Sequence, residues 1–306
     1  VSTAVAGEVE RAEELVSQSR AVLSKHARSF RLAAFFLPAQ ATDDAAVVYA
    51  LCRLIDDLAD ESPDPAIARL ELSKLQAELR QEAVPRPLVS HFLRMAAEKQ
   101  IEVQAALDLI EGALSDLEPV RISDDAVLDL YCYRVAGTVG LLMCGVLGVT
   151  DPTARRHAIA LGMAMQLTNL SRDVVEDARM GRVYLPASRL SAEGLTPEAV
   201  LAGTADRAAL SRVVRALLRR ADGLYDLGRA GMGFIPLRSR VAIFVAARLY
   251  QGIGHRLVAV HGADPSHGRT ILPPLSRLGA VVSGLMDFLK WRQVAGTAAL
   301  PAPRGS

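Results

Sequence analysis

Cysteine, tryptophan and aromatic residues in general are scarce in this chain, and neither sign of charge prevails. Its 306 residues include 3 cysteines and 1 tryptophan, and aromatic side chains make up only 5%. Cys52, Cys132 and Cys144 sit in apolar stretches without the close pairing that metal ligation needs. They read as buried thiols of a reducing compartment, which excludes a disulfide framework as the source of stability. A formal net charge of +1 gives no reason for a general affinity for nucleic acid or for an anionic membrane. The longest uncharged run, 135–150, falls short of the ~20 residues of a membrane span, so no transmembrane segment is expected. The first ten residues carry acids and no apolar core segment, so no signal peptide is expected either. Strand-like alternation and repeats of fixed period are also absent.

What the chain has in abundance is helical periodicity. Hydrophobic residues make up 51%, and they recur at three- and four-residue steps. The spacing predicts helices over 9–25, 44–59, 66–81, 87–99, 102–117, 124–147, 152–178, 206–228, 237–261 and 274–292. Pro63 and Pro65 follow the second of these, Ser123 is the N-cap candidate for the helix beginning at Asp124, and Asp151-Pro152 opens another. Gly137, Gly140, Gly145 and Gly148 within the uncharged run predict close helix contact. The fold expected is one all-α domain over residues 1–295, followed by a disordered tail over 296–306.

Two acidic clusters stand out against this background. In Asp56-Asp57-Leu58-Ala59-Asp60, Asp56 and Asp60 are four apart and project from one helical face. Alone, such a cluster is a solvated helix end. Here the preceding residues, Leu51 to Ile55, belong to a core, so the acids point into a cavity. The second set is Gln166, Asn169, Asp173 and Asp177, again at three- and four-residue steps, with Gly162 extending the face and Arg172 and Arg179 nearby. A surface helix laced by ion pairs would also read this way. Two such clusters on apolar helices, however, supply hard oxygen ligands that suit Mg²⁺ held between carboxylates and a diphosphate.

The resemblance becomes specific at four segments: Ser24-Lys25-His26-Ala27-Arg28-Ser29-Phe30, Tyr49 through Asp60, Tyr131 through Gly140, and Gln166 through Pro186. Together they resemble the squalene/phytoene synthase family, colinearly from about Val16 to about His261, and residues 195–256 are most similar to its bacterial phytoene synthases. The resemblance implies an isoprenoid-synthase-like helical bundle around a central cavity. It implies that Asp56, Asp60, Asn169, Asp173 and Asp177 hold Mg²⁺, with Mn²⁺ as a substitute. His26, Ala27, Arg28, Ser29, Tyr49, Arg53, Gln166, Asn169, Arg172 and Tyr250 fall at substrate-contacting positions. Many members have Ser where this chain has Ala27, so one hydroxyl contact to phosphate is missing.

The reaction implied begins with ionisation of one allylic diphosphate and attack by the double bond of a second. The cyclopropyl-carbinyl diphosphate so formed ionises again and rearranges to a linear 1-1′ product. Arg53 and Arg172 suit the diphosphates, because a planar guanidinium matches phosphate oxygens. Tyr49, Tyr131 and Tyr250 offer π-faces to the cations. Proton loss at the end gives phytoene or dehydrosqualene, whereas NADPH is needed only if the product is squalene. Ala33, Ala34 and Ala46 leave room for a twenty-carbon chain, with Ala46 expected on the cavity-facing stripe of Ala46, Tyr49, Arg53, Asp56 and Asp60. The expected substrate is therefore geranylgeranyl diphosphate, the alternative being two farnesyl diphosphates in a squalene or dehydrosqualene synthase. A non-catalytic lipid-binding protein on the same fold would not keep carboxylates that repel one another. The expected location is cytoplasmic, with at most a peripheral contact at the inner membrane face for product release.

Overall fold

A computed structural model describes residues 2–26 and 32–297, with side chains for 13–25 and 32–292. The chain runs helix after helix. The first half comprises α1 (Ser2–His26), α2 (Ala39–Asp60), α3 (Pro65–Leu79), α4 (Pro87–Lys99) and α5 (Val103–Ser115). Next come α6 (Asp125–Cys132), a π-helical turn (Tyr133–Gly137) and α7 (Thr138–Val146), which form one unbroken rod. The second half holds α8 (Arg155–Arg172), α9 (Val174–Arg179), α10 (Ala187–Ala192), α11 (Pro197–Leu201), α12 (Arg207–Ala230), α13 (Leu237–His261) and α14 (Pro274–Thr297). Among the described residues the only β-type pairing is an isolated bridge between Arg121 and Val183.

Local chemistry sets most boundaries. Asp64 accepts from the Ala66 amide with Pro65 in the first turn of α3. At α6 the cap is Asp124 itself, accepting from the Ala126 and Val127 amides at 2.9 and 3.1 Å. Ser123, the expected cap, instead donates to the Asp124 carboxylate. Asp151-Pro152 opens a short 3₁₀ turn that leads into α8. The short helices α10 and α11 carry too few turns to show a period, and sequence reading passed over them.

One predicted helix, 152–178, is broken at Asp173, where φ is −100° and ψ is 13°. Neighbouring residues on an α-helix do not face each other. Arg172 and Asp173 nonetheless form a two-pronged ion pair, with Nε to Oδ1 at 2.7 Å, and the backbone leaves helical geometry to allow it. The Asp173 amide still donates to Asn169 O, and the Asp177 amide to Asp173 O. Asn169, Asp173 and Asp177 therefore stay on one face across the break.

Two apolar cores flank the molecule's centre. One joins α2 to α5 with α7 through residues such as Leu51, Ile55, Leu75, Phe92, Ile110 and Leu142. The other packs α12 and α13 on α8 through Leu167, Leu170, Leu217, Tyr225 and Leu257. The halves meet where the π-turn rod crosses α8 at backbone contact. A Cβ on Gly140 would collide with the Ala158 carbonyl, and one on Gly162 with the Ala136 carbonyl. Gly148 does not serve helix contact but ends α7 with φ at 70°.

Once joined by its π turn, the rod Asp125–Val146 spans 22 residues, long and apolar enough to cross a membrane by length and composition. The expectation of no such segment rested on the uncharged run alone. In the bundle the rod packs on α5 and α8, and Asp125 and Asp129 are held by Arg189 and Arg220. Its half-buried residues Val135, Ala136, Val139 and Met143 face an internal cavity.

Candidate active site

Between the two cores lies a cavity of about 380 Å³ whose walls are overwhelmingly apolar. Helix α2 contributes Ala45, Val48, Tyr49, Cys52 and Asp56. Helix α8 contributes Ala158, Leu161, Gly162, Met165, Gln166 and Asn169 from the opposite side, and Tyr250 enters from α13. Polar groups gather at one end, where α2 finishes and α8 breaks into α9. The remainder is lined mostly by aliphatic and sulfur-bearing side chains, Met143 and Met232 among them, with the stacked rings of His157 and Phe234. This is a polar mouth on an apolar shaft.

At the mouth Asp56 is open to small solvent yet enclosed by protein, because it lines a cavity wall. Removal from bulk water pushes its carboxyl up to about 7, and Asp60 one turn on adds repulsion. Across the mouth Asp177 is likewise raised to about 7 by desolvation, with Asp173 next in effect. Asp116 lies between them and repels both. Its oxygens accept from Tyr131 at 2.9 Å and from Tyr184 at 2.8 Å. Arg182 bridges the two sides, donating to Asp60 at 2.9 Å and to the Asp116 carbonyl at 3.3 Å. Asp173 is held by Arg172 and also by Arg269, 3.3 Å away on the loop after α13.

The residues present fit a divalent cation of the Mg²⁺ kind. Asp56 and Asp177 are raised by burial and then by neighbouring carboxylates, so a cation would be welcome there, and the Glu176 Oε2 atom is buried without a partner. Among the described residues no three side chains form a closed metal cage. That openness suits Mg²⁺, which keeps several waters and is completed by substrate phosphates.

The profile of the squalene/phytoene synthase family matches residues 23–275. This chain belongs to the squalene/phytoene synthase family. A 15-cis-phytoene synthase of Enterobacter agglomerans is 38% identical over 244 residues, 76% of this chain and 82% of that protein. A phytoene synthase of Thermus thermophilus is also 38% identical over 244 residues, covering 77% of this chain and 81% of that one. Among solved structures, a dehydrosqualene synthase superposes with a TM-score of 0.82 at 24% identity, covering 92% of this chain and 99% of that one. Squalene synthase HpnC from Alicyclobacillus acidocaldarius gives 0.74 at 25% identity, covering 83% and 96%.

Within this squalene/phytoene synthase fold, the residues singled out from sequence fall in four places. Tyr49, Asp56, Gln166, Asn169 and Tyr250 line the cavity, and Asn169 Nδ2 donates to Gln166 Oε1 at 3.4 Å. Tyr49 and Tyr250 are close enough to influence each other's charge, and burial raises the phenol of Tyr250 to about 12. Asp60, Arg172, Asp173 and Asp177 stand around the mouth. Arg53 lies outside the cavity wall, paired with Asp57 at 2.5 Å and Glu61 at 3.2 Å. Tyr131 does not face the cavity: its ring stacks on Tyr184 at 4.7 Å, and its hydroxyl is spent on Asp116. Ala27, Arg28 and Ser29 lie outside the described residues, as do the His26 side chain and residues 298–306 of the expected tail.

Two further expectations need correction. Ala46 is fully buried between Leu23 and Tyr49 and lines no cavity, whereas Ala33, Ala34 and Ala45 do. A helical stripe read at steps of three and four drifts, and the cavity-facing set begins one residue earlier. Cys52 and Cys144 are half-buried on the cavity wall, Cys52 also packed against the first core, and burial raises both thiols, Cys144 to about 11. Sequence reading missed Asp116, Arg182, Tyr184 and Arg269. The run ending Gly181-Arg182-Val183-Tyr184 folds back to the mouth through the bridge between Arg121 and Val183 and the bonds from Arg182 to Asp60 and Tyr184 to Asp116, none of which local spacing reveals.

Proposed function

We propose that the protein joins two geranylgeranyl diphosphates head to head, with Mg²⁺, into phytoene in carotenoid biosynthesis. The observation that carries this reading is two carboxylate-bearing helix ends facing each other across the mouth of an apolar, tyrosine-lined cavity. Relatives 33–38% identical that are named phytoene synthases support the twenty-carbon version.

In this reading Asp56, Asp60, Asn169, Asp173 and Asp177 hold Mg²⁺, which stabilises the negative charge that develops on a leaving diphosphate. Arg172, Arg182 and Arg269 present guanidinium forks that orient the diphosphates at the mouth. Arg53 joins them by turning from Asp57. The C1–O bond of one substrate breaks, diphosphate departs, and the double bond of the other attacks the cation. Loss of a proton leaves the cyclopropyl-carbinyl diphosphate. A second ionisation, rearrangement and proton loss complete the 1-1′ product. Tyr49 and Tyr250 turn polarisable rings toward the cations, and the aliphatic shaft excludes water that would quench them.

A peripheral membrane contact for product release is part of this proposal. Its support is an exposed apolar face on α14 formed by Leu275, Leu278, Val282, Met286 and Leu289. Incubation with Mg²⁺ and each prenyl diphosphate, with and without NADPH, tests the whole reading. Phytoene from geranylgeranyl diphosphate, independent of NADPH, is the expected product. Preference for farnesyl diphosphate in direct competition overturns the twenty-carbon assignment in favour of a squalene or dehydrosqualene synthase. Absence of diphosphate release with either substrate overturns the enzyme.

A further inference from the structure

A second cavity, of about 370 Å³, opens between α12 and α13 on the far side of α8 from the polar mouth. Its floor includes Leu218, Gly254 and Val258, with Thr168 and Tyr225 at the bottom, hydrogen-bonded to each other at 3.1 Å. No residue of this groove belongs to the cavity described above.

The rim carries two arginines side by side. Along α12, Arg212 pairs with Glu193 at 2.7 Å, and Arg220 pairs with Asp129. Arg215 and Arg219 lie between them, one turn apart and both on the groove, and neither has an ion-pair partner among the described residues. Arg215 donates only to the Gly262 carbonyl, at 2.8 Å. The groove's one carboxylate, Asp222, is already taken by Gln251 at 2.7 Å and by His255 at 3.0 Å. Two guanidiniums spaced by one helical turn can grip the oxygens of a single dianion, and the groove beside them offers an apolar strip of Leu218, Ala221, Gly254 and Val258.

The geometry points to a second, non-catalytic binding site in this groove for a small phosphate monoester, its phosphate on Arg215 and Arg219 and its apolar group on Leu218, Gly254 and Val258. This site stands apart from the proposed reaction and does not depend on it.

Phenyl phosphate is the probe, titrated calorimetrically into the full chain in EDTA, with inorganic phosphate as the comparison. Binding at one site per chain is expected for wild type, weakened at least about tenfold in Arg215→Gln/Arg219→Gln, since each charge-assisted bond lost is worth about 1.5 kcal/mol or more. Asp56→Asn, altered only at the mouth, is expected to bind phenyl phosphate as wild type does. Both substituted arginines are on the groove rim and glutamine keeps the helix, so unchanged turnover without phenyl phosphate certifies the fold of the double variant. Equal binding by wild type and double variant, or no binding by wild type, overturns the site. A changed affinity in Asp56→Asn, tighter once a carboxylate facing the anion is gone, also overturns it, by placing the probe at the mouth. Inorganic phosphate binding as tightly as phenyl phosphate overturns the ester assignment, because the apolar floor then contributes nothing.

Discussion

Asp56 and Asp173, at matching places in the two acidic clusters, are alike in sequence and opposite in electrostatics. At the end of α2, Asp56 has no guanidinium of its own, since Arg53 is turned to Asp57 and Glu61. At the break after α8, Asp173 is clamped by Arg172 and Arg269. Asp56 therefore stands without an ion-pair partner among the described residues, as Asp177 does in the second cluster, while Asp173 is neutralised within the protein, as Asp60 is by Arg182. Binding of a metal–diphosphate at the second side requires exchange of partners, with the guanidiniums passing from carboxylate to phosphate oxygens. Asp56 and Asp177 thus face a cation without a competing guanidinium, whereas Asp173 must trade its partners.

Asp56→Asn and Asp173→Asn should both cut turnover by roughly 100-fold or more, the scale of losing one pre-organised charge contact in a transition state. Their stabilities should differ. Asp56→Asn relieves repulsion and should leave the melting temperature of metal-free protein equal or higher. Asp173→Asn strands the buried Arg172 and should cost about 3 kcal/mol, read from urea unfolding. Equal stabilities would show that Asp56 and Asp173 are not electrostatically distinct.

Arg172→Lys comes next in size. A lysine keeps the charge but cannot grip Asp173 or phosphate with two prongs. Loss of one charge-assisted bond, about 1.5–3 kcal/mol, predicts a fall in kcat/KM of roughly 10- to 100-fold. Arg53→Lys should lose less, because Arg53 pairs at the solvent edge. Steady-state kinetics on the two variants would reverse this order if Arg53 were the main diphosphate ligand.

The pH dependence of metal-free protein sharpens the same contrast. Asp56 and Asp177 hold their protons up to about 7 when folded, against 3.8 for the unperturbed group. Between those values the folded chain binds more protons than the unfolded one, so stability falls as pH rises through that window. Mg²⁺ competes with those protons, so its stabilising effect should be larger near pH ~8 than near pH ~6. Thermal melts with EDTA and with Mg²⁺ at the two pH values check this. A flat metal-free profile, or an Mg²⁺ effect larger at the lower pH, would rule the raised carboxyls out of metal binding.

The smallest expected effects separate the polar mouth from the shaft. Ala34→Phe adds a ring to the cavity wall and should shift preference toward farnesyl diphosphate in a competition assay while leaving Mg²⁺ dependence unchanged. Ala46→Trp finds no space between Leu23 and Tyr49 and must displace them, at a packing cost of about 1–3 kcal/mol. If Ala34→Phe leaves the preference where it was, the shaft is not where chain length is read.

The helices and the acids were legible because both depend on local spacing. The 237–261 helix was found to the residue, and the four-residue steps of Asp56 to Asp60 and Asn169 to Asp177 survive in the fold, even across the break at Asp173. A helix dictates which residues share its face, and apolar periodicity dictates that a bundle forms. Periodicity does not say which way a face turns by one residue, and so Ala46 was expected on the cavity and Ala45 is found there. Nor does it reach residues outside helices. Asp116, Arg182, Tyr184 and Arg269 come from segments between helices and converge on the mouth only when the chain has folded. Tyr131 shows the same limit, since its hydroxyl met Asp116 rather than a substrate. The sequence by itself determined that two carboxylate-bearing helices would exist. Tertiary packing decided which carboxylate stands unpaired, because charge pairing and desolvation depend on distances between segments that the chain does not encode locally.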